Sequence, residues 1–321
     1  MIEFTEITSG LQFPEGPIWM PDGSIILVEI ARGTLSRVAP DGRIDVVAET
    51  GGGPNGAAIG PDGKCYVCNN GGFSWEHEGP NGEYVRPTGP AAGYSNGWIE
   101  RIDLDTGEVE VLYENCNGNP LHGPNDIVFD AHGGFWFTDL GKRHPRRLDL
   151  GGVYYAKADG SEIREVVHPL VTPNGIGLSP DGNRLYVAET ETARVLAWDV
   201  TAPGELRMDP WPAHGGAEVL ASPEGYQRYD SLAVEANGNV CVATLVRGGI
   251  TIVSPDGSSV EHLALPDPMT TNICFGGADL STAFITLSAT GRLVSCDWPR
   301  RGTALAFCRR ACSLPVEGSP T

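Results

Sequence analysis

Six polar residues recur at one position of a repeated sequence phrase, and each carries an oxygen donor. They are Glu15, Asn55, Asn125, Asn174, Asp230 and Asn272. Carboxylates and amide carbonyls, without Cys or His, favour a hard cation such as Ca²⁺, although Zn²⁺, Mn²⁺, Mg²⁺ and Fe²⁺ also accept them. Any single member could instead serve a turn by bonding local backbone. Turn chemistry does not explain Glu in one copy and Asp in another, so the pattern predicts one divalent metal site.

The repeated phrase continues in the same order in every copy. Seven positions after the six residues come, in order, Asp22, Asp62, His132, Asp181, Asn237 and Asp279. Glycine usually follows, and then a strand-like run such as Ile25-Ile26-Leu27-Val28. Copies at a period of tens of residues, each with several short strands, are typical of a β-propeller. The sequence therefore predicts an all-β fold, a six-bladed propeller with four-stranded antiparallel blades, as a single domain over residues 1–321.

The propeller would bring the six residues together. Each stands where the chain enters the innermost strand of its blade, so rotational symmetry would place all six around the central channel. The sixth blade lacks an evident outer strand in its own segment of sequence. Residues 2–7 could supply it and remove two sheet edges, and Leu305-Ala306-Phe307 is the competing candidate.

One blade carries a long insertion. It covers residues 70–97 and is rich in Gly, Pro, Asn and aromatic residues, including Trp75. We read no strands in it, and a long loop of this kind is uncommon in a compact domain unless it covers a binding site or is disordered. Aromatic rings are costly to leave in water. The insertion is therefore predicted to be a lid over one mouth of the channel.

Composition restricts the class of partner. The chain has 41 acidic and 22 basic residues, a formal net charge of -19. Such a charge repels nucleic acid and attracts cations, and it also serves solubility. The N-terminus has no pattern of a secretory signal, and no apolar stretch approaches the roughly 18 residues of a membrane span. We expect a cytoplasmic protein that binds neither nucleic acid nor membranes, with an oligomeric state that the sequence leaves open.

A set of ordered motifs resembles the senescence marker protein (regucalcin), gluconolactonase and luciferin-regenerating enzyme family. The motifs are Phe13-Pro14-Glu15-Gly16-Pro17-Ile18-Trp19, Gly123-Pro124-Asn125-Asp126, Thr172-Pro173-Asn174-Gly175, Tyr229-Asp230-Ser231-Leu232 and Phe275-Gly276-Gly277. The resemblance implies a lactonase with one catalytic divalent metal held by Glu15, Asn174 and Asp230. It places Asn125 beside the metal, where it touches substrate or completes the coordination. Ser231 departs from the family's common Asp-Gly.

Hydrolysis of a lactone needs a polarised carbonyl, an activated water and a group that moves protons. We expect Asp230 to deprotonate the attacking water, with direct nucleophilic attack by Asp230 as the alternative. The substrate would be a sugar lactone such as an aldonolactone. Rival functions are hydrolysis of another ester or a phosphotriester, and a metal-binding propeller that catalyses nothing.

Other residues have weaker claims on the site. Asn55 and Asn272 are possible pocket contacts, His122 could reach the mouth, and Trp75 could touch substrate from the insertion. The second strands end in a further polar set, which could face the pocket or cap turns: Asn69, Asn70, Asp139 and Glu189. Cys65 and Cys68 have a C-x-x-C spacing but lie in a strand run, where a structural role is expected.

Overall fold

The computed structural model describes residues 3–308 and is almost entirely β. Six antiparallel sheets form the blades of a propeller, which confirms the predicted fold. From the channel outward, the strands of blades 1 to 3 are Pro14–Trp19, Ile25–Glu29, Thr34–Val38 and Ile44–Glu49; Pro54–Ile59, Cys65–Asn69, Trp98–Ile102 and Val109–Tyr113; and Pro124–Phe129, Gly134–Asp139, Gly151–Lys157 and Ile163–Leu170. Those of blades 4 to 6 are Pro173–Leu178, Arg184–Glu189, Arg194–Ala202 and Glu218–Ala221; Arg228–Val234, Val240–Leu245, Gly249–Val253 and Val260–Ala264; and Thr270–Gly276, Thr282–Leu287, Arg292–Asp297 and Thr5–Ser9.

The two ends of the chain meet in blade 6. Thr5–Ser9 pairs antiparallel with Arg292–Asp297 and is the outer strand. The N-terminal segment therefore closes the ring as predicted, although the strand starts at Thr5, and residues 1–2 lie outside the described part of the chain. The competing segment around Phe307 packs elsewhere, with its ring 5.7 Å from that of Phe129. Closure by a strand from the opposite terminus removes two edges that would otherwise be exposed.

The polar residue that lies seven positions after each predicted ligand has a structural role. Asp22 accepts a hydrogen bond from the backbone N–H of Ser24 at 2.9 Å, and equivalent bonds form at Asp62, Asp181, Asn237 and Asp279. Blade 3 differs, because Asp130 accepts from the N–H of His132. These side chains stabilise the tight turn between the first and second strands, as Asp and Asn do at such positions.

The insertion contains strands, contrary to our interpretation from the sequence. Phe73–Glu78 and Tyr84–Pro90 pair as a β-hairpin, hereafter the insertion hairpin. Its alternation of aromatic and charged residues leaves one apolar side, and the ring of Trp75 packs 4.9 Å from that of Phe13 in blade 1. The N–H of Val85 donates to the carbonyl of Ala289 in blade 6 at 2.9 Å. The hairpin is thus anchored on two blades other than its own.

Smaller elements complete the description. Short paired strands are Asn115–Cys116 with Asn119–Pro120 and Arg143–His144 with Arg147–Leu148, and Glu205–Leu206 pairs with the third strand of blade 4. A 3₁₀ turn covers His214–Gly216. Across residues 3–308 we find no helix with the length and apolar character needed to span a membrane. Cys65 and Cys68 are buried with free thiols, as expected for packing residues.

Candidate metal centre

Every innermost strand is irregular at the predicted ligand position. The pairing register with the second strand shifts between Glu15 and Ile18 in blade 1, between Pro173 and Ile176 in blade 4, and between Tyr229 and Leu232 in blade 5. Blades 2, 3 and 6 have equivalent shifts. A β-bulge turns a side chain away from its normal direction, and bulges are common next to active sites. In every blade the shift falls at the predicted ligand.

The six predicted residues begin the six inner strands, and those strands contact one another in a closed cycle. Glu15, Asn55, Asn125, Asn174 and Asn272 are buried, whereas Asp230 is partly exposed. The ring is therefore almost closed to solvent, and Asp230 is its most accessible member.

Glu15 is held by its neighbours from three directions. Asn272 Nδ2 donates to Glu15 Oε2 at 2.7 Å, and Ser231 Oγ donates to Glu15 Oε1 at 3.2 Å. The backbone N–H of Gly16 donates to Oε2 at 2.5 Å. Because Asn272 Oδ1 in turn accepts from the N–H of Ile273 at 2.7 Å, both polar ends of Asn272 are engaged within the protein.

Two amide oxygens in the ring have no partner among the described residues. They are Asn125 Oδ1 and Asn174 Oδ1, both buried. Asn174 Nδ2 donates to Thr190 Oγ1 at 3.0 Å, which turns the oxygen of the same amide away from Thr190. A buried acceptor without a partner is costly. Two such oxygens beside buried carboxylates are the donor set that a hard cation would satisfy, so the residues present fit a divalent metal.

The carboxylates of the ring perturb one another. Burial raises the pKa of Asp230 to about 8, with a further increase from Asp126 that Asn174 and the N–H of Ser231 oppose. Burial also raises the pKa of Glu15 well above its usual range, and the charges of Asp230 and Asp126 add to this. Crowded, desolvated carboxylates of one sign favour a positive charge among them.

Asp126 is a residue of the channel to which sequence reasoning gave no role. Burial raises its pKa to about 7, and its carboxylate accepts from the N–H groups of Ile127 at 2.9 Å and Ile176 at 3.2 Å. It occupies the position that is glycine in three other blades, directly after the predicted ligand. The signal that could have identified it is therefore a charged residue where the repeat has glycine.

In blades 1, 2 and 4 the close approach of the adjacent inner strand leaves no room for a side chain at that position, which is glycine. A Cβ on Gly175 would lie 2.7 Å from both the carbonyl oxygen of Asp230 and the nitrogen of Leu232. A Cβ on Gly56 would lie 2.5 Å from the carbonyl oxygen of Asn125. Both clashes are with backbone, which cannot easily move. The glycines thus allow each ligand-bearing strand to lie against the next.

The polar residues that end the second strands cap the segments that lead into the ring. Asn69 Oδ1 accepts from the N–H of Gly53 at 2.8 Å, Asp139 from those of His122 and Gly123 at 2.7 Å, and Glu189 from that of Val171 at 3.1 Å. Each acceptor fixes the backbone two or three residues before a predicted ligand. Asn70 instead bonds the N–H of Gly72 at 2.8 Å, at the base of the insertion.

The other predicted contacts lie at different depths. His122 is on the rim, with Nδ1 3.7 Å from Asp149 Oδ2. Trp75 is in the insertion hairpin, which leaves the propeller at the end of Cys65–Asn69, the end at which the ring lies. Asn55 is buried at the ring position of blade 2. The structure thus brings Asn272 and Asn55 to the ring and leaves His122 and Trp75 at its mouth.

A cavity of about 270 Å³ continues along the channel below the ring, away from the mouth. Gly16, Asp126 and Asn272 lie among its lining, and residues 303–306 lie at its far end. Within residues 3–308, no three side chains drawn from His, Cys, Asp and Glu are grouped as a metal site. Any metal site in this ring therefore depends on the amide oxygens of Asn125 and Asn174.

Comparison with known proteins identifies the family to which this chain belongs. The family model described as SMP-30/Gluconolactonase/LRE-like region matches residues 13–289. A gluconolactonase of Zymomonas mobilis is 24% identical over 311 residues, which cover 88% of this chain and 78% of that protein. Lactonase drp35 of Staphylococcus saprophyticus is 27% identical over 259 residues, which cover 80% of this chain and 71% of that protein.

Two solved structures share the fold. A gluconolactonase from Xanthomonas campestris superposes with a TM-score of 0.72 at 22% identity, over 93% of this chain and 90% of that one. Regucalcin from Agrobacterium tumefaciens, described as a calcium-binding protein, gives 0.69 at 18% identity, over 95% and 98%. With the family model spanning most of the propeller, the resemblance read from the motifs is confirmed: the chain belongs to the SMP-30/gluconolactonase/LRE-like family.

Proposed function

We propose that this protein is a metal-dependent lactonase that opens a sugar lactone, such as an aldonolactone, to its hydroxy acid. The observation that carries the proposal is the pair of buried, unpartnered amide oxygens of Asn125 and Asn174 beside the carboxylates of Glu15 and Asp230. Relatives named gluconolactonase and lactonase support the substrate class.

Glu15, Asn174 and Asp230 would hold the cation, with Asn125 completing the set or contacting substrate. Ca²⁺ is the expected ion, because the donors are all oxygen atoms, and the fold neighbour regucalcin is described as calcium-binding. When bound, a divalent cation would favour ionised carboxylates, polarise the lactone carbonyl and lower the pKa of a nearby water. Asn272 and Ser231 would keep Glu15 in place through their hydrogen bonds.

Asp230 would move the proton. Asp230 is the most accessible carboxylate among the six residues. Its ionised form can accept a proton from the water that attacks the lactone carbonyl. The bond between the carbonyl carbon and the ring oxygen of the lactone then breaks, and Asp230 can pass the same proton to that leaving oxygen. The product is a hydroxy acid, which releases one proton to solvent at neutral pH.

Proton release from a panel of aldonolactones tests the proposal. We expect activity in the protein supplied with Ca²⁺, loss of activity after thorough chelation, and recovery when the cation is restored. Asp230→Asn should abolish turnover, whereas Asp181→Asn, in an exposed turn, is the matched control. Activity that survives chelation would exclude the metal mechanism. Inactivity on every lactone despite bound metal would favour another ester, a phosphotriester or a non-catalytic propeller.

A single turnover in ¹⁸O-labelled water separates the two roles open to Asp230. If Asp230 is a general base, the label should enter the product carboxylate and none should enter the enzyme. If Asp230 attacks the carbonyl itself, hydrolysis of the acyl-enzyme at the aspartyl carbon would leave ¹⁸O in the Asp230 carboxylate. Mass spectrometry of the peptide that contains Asp230 distinguishes these results.

A further inference from the structure

The mouth of the channel has an uneven distribution of charge. Although the chain has a net charge of -19, residues 142–147 include the three arginines Arg143, Arg146 and Arg147, of which Arg147 is paired with Asp149 at 3.0 Å. This segment follows the second strand of blade 3, whose last residue, Asp139, pairs with Pro124 next to Asn125. The basic segment therefore lies at the same end of the propeller as the predicted ligands.

Ion pairs continue this positive region across the next two blades. Arg143 Nη1 lies 3.2 Å from Glu191 Oε1, and Arg228 Nη2 lies 3.2 Å from Glu191 Oε2. Two guanidinium groups share one carboxylate, so the cluster of these three residues, hereafter the arginine cluster, has a formal charge of +1. It spans blades 3, 4 and 5.

The arginine cluster stands directly beside the candidate metal ligands. Glu191 follows Thr190, which accepts the hydrogen bond from Asn174 Nδ2 at 3.0 Å. Arg228 is two residues before Asp230 on the same strand, and the intervening Tyr229 is fully buried. Arg228 and Asp230 are both partly exposed, on either side of the buried Tyr229. Arg228 therefore neighbours the position that a substrate would occupy.

Arg228 retains unused hydrogen-bonding capacity. Its Nε is buried and has no partner among the described residues. Its side chain is 29% exposed, so the protein does not enclose it completely. The insertion hairpin, in contrast, presents Phe73 and Trp75, and its acidic Glu76 and Glu78 are both paired with Arg86. One side of the mouth is thus aromatic, and the other side carries positive charge.

We propose that Arg228, supported by Arg143, is a specificity-determining residue that binds an anionic substituent of the lactone, either a carboxylate or a phosphoryl group. The inference rests on the proposed lactonase function and extends it to the substrate class. A guanidinium fork suits both anions, and positive charge concentrated at the mouth of an otherwise acidic protein would guide such a substrate inward. The anion and Glu191 would share the donors of the two arginines.

The test compares glucono-1,5-lactone, which is neutral, with glucaro-1,4-lactone, which carries a carboxylate, and 6-phosphoglucono-1,5-lactone, which carries a phosphate. For the wild type supplied with Ca²⁺, we expect a higher kcat/KM for one or both anionic lactones. In Arg228→Gln the ratio of kcat/KM for the anionic over the neutral lactone should fall by about 10- to 100-fold, mainly through KM, which is the scale of a lost charge-assisted contact. Added salt should raise KM for the anionic lactone only.

Arg37→Gln is the control. Its side chain is 28% exposed and paired with Asp22, in the turn at the opposite end of blade 1, so it matches Arg228 in charge and burial. It should leave the ratio unchanged. An equal loss on all three lactones in Arg228→Gln, or a wild-type preference for the neutral lactone, would show that the arginine cluster only ties the blades together and would overturn the inference.

A binding measurement separates this inference from the proposed function. Calorimetry can compare 6-phosphogluconate with gluconate on the Ca²⁺-supplied protein. Tighter binding of the phosphorylated acid, lost in Arg228→Gln, would support the anion subsite even if no lactone were hydrolysed. Equal binding of the two acids would overturn a phosphoryl subsite. A comparison of the binding of glucarate with that of gluconate tests a carboxylate subsite in the same way.

Discussion

Asn272 donates a hydrogen bond from Nδ2 to Glu15 Oε2 across 2.7 Å, although the two residues are 257 positions apart in the chain. They stand at the same point of the repeated phrase, in the last and first blades. Closure of the propeller therefore places an amide of the final blade on a carboxylate of the first. Asn272 was a candidate substrate contact in the sequence, and its geometry supports a positioning role instead.

We predict that Asn272→Ala weakens Ca²⁺ binding by about 10- to 100-fold, the usual effect of losing a hydrogen bond that orients a metal ligand. Without the amide, Glu15 loses its shortest side-chain partner and can rotate away from the channel. Calorimetric titration with Ca²⁺ measures the effect. Asn183→Ala, in an exposed turn, should bind Ca²⁺ as the wild type does. Wild-type affinity in Asn272→Ala would mean that Glu15 does not depend on this contact.

We predict that Gly175→Ala lowers the thermal stability and the Ca²⁺ affinity together. The added Cβ would meet backbone atoms of Asp230 and Leu232 at 2.7 Å and separate two ligand-bearing strands. Gly177→Ala is a control on the same strand, because its nearest obstacle, at 2.6 Å, is the movable Cδ1 of the Leu232 side chain. Its melting temperature should fall less. Equal losses in the two variants would contradict the tight strand contact.

We predict that the insertion hairpin contributes to substrate binding and leaves metal binding intact. Phe73 pairs with Pro90, so replacing residues 74–89 by Asn-Gly would join this pair by a short turn. KM for a lactone should rise by about 10-fold or more, which corresponds to the loss of roughly one aromatic contact, while Ca²⁺ affinity stays at the wild-type level. Unchanged KM would show that the hairpin is not a lid or wall of the site.

Trp75→Ala tests the same surface without a deletion. Trp75 packs on Phe13, two residues before Glu15, so its loss should also raise KM. Trp211→Ala removes an indole that is 92% exposed and should leave KM unaltered. If both tryptophan variants behave alike, the effect is not specific to the mouth.

Lys142 provides a pH-dependent prediction away from the ring. It lies under the insertion hairpin, with Nζ 3.0 Å from both Asn70 Oδ1 and the carbonyl of Gly72, and burial lowers its pKa to about 7. Between pH 7 and about 10.5 the unfolded chain then binds more protons than the native state at this residue. The free energy of unfolding should rise with pH over that window, by up to about 1.4 kcal/mol per pH unit.

The measurement for Lys142 is urea unfolding at pH 7, 8 and 9 for the wild type and Lys142→Met. The variant should lose the upward slope, and the difference between the two curves isolates the amine from other titrating groups. Parallel curves would mean that the Phe73 ring, 3.9 Å from Nζ, and the two oxygen acceptors keep the amine protonated.

The sequence predicted the six blades and the closure by the N-terminal strand, because the repeated phrase marks one inner strand in each blade and the sixth copy lacks an outer strand of its own. The role of Asp126 was not predicted because it depends on a contact between blades. Its carboxylate accepts a hydrogen bond from the N–H of Ile176 in the adjacent blade. The insertion hairpin was missed because Gly and Pro in its second strand, Tyr84–Pro90, obscure the alternation there. The contact of Asn272 with Glu15 depends on a side-chain rotation that spacing cannot specify.

The roles of Asn69, Asp139 and Glu189 could also be decided only from the three-dimensional structure. Their sequence context is the same whether they face the pocket or the backbone, and in the structure they accept hydrogen bonds from the N–H groups of Gly53, Gly123 and Val171. The arginine cluster joins residues from three blades, so neither its charge nor its place at the mouth can be read from a local pattern.

The most direct test of the metal centre is anomalous diffraction from crystals soaked with Mn²⁺ and, separately, with Ca²⁺. One strong peak is predicted in the channel, about 2.1–2.6 Å from carboxylate oxygens of Glu15 and Asp230 and from Asn174 Oδ1, with Asn125 Oδ1 in the coordination sphere or close to it. A peak outside the ring, or a ring without any peak at saturating metal, would contradict the account.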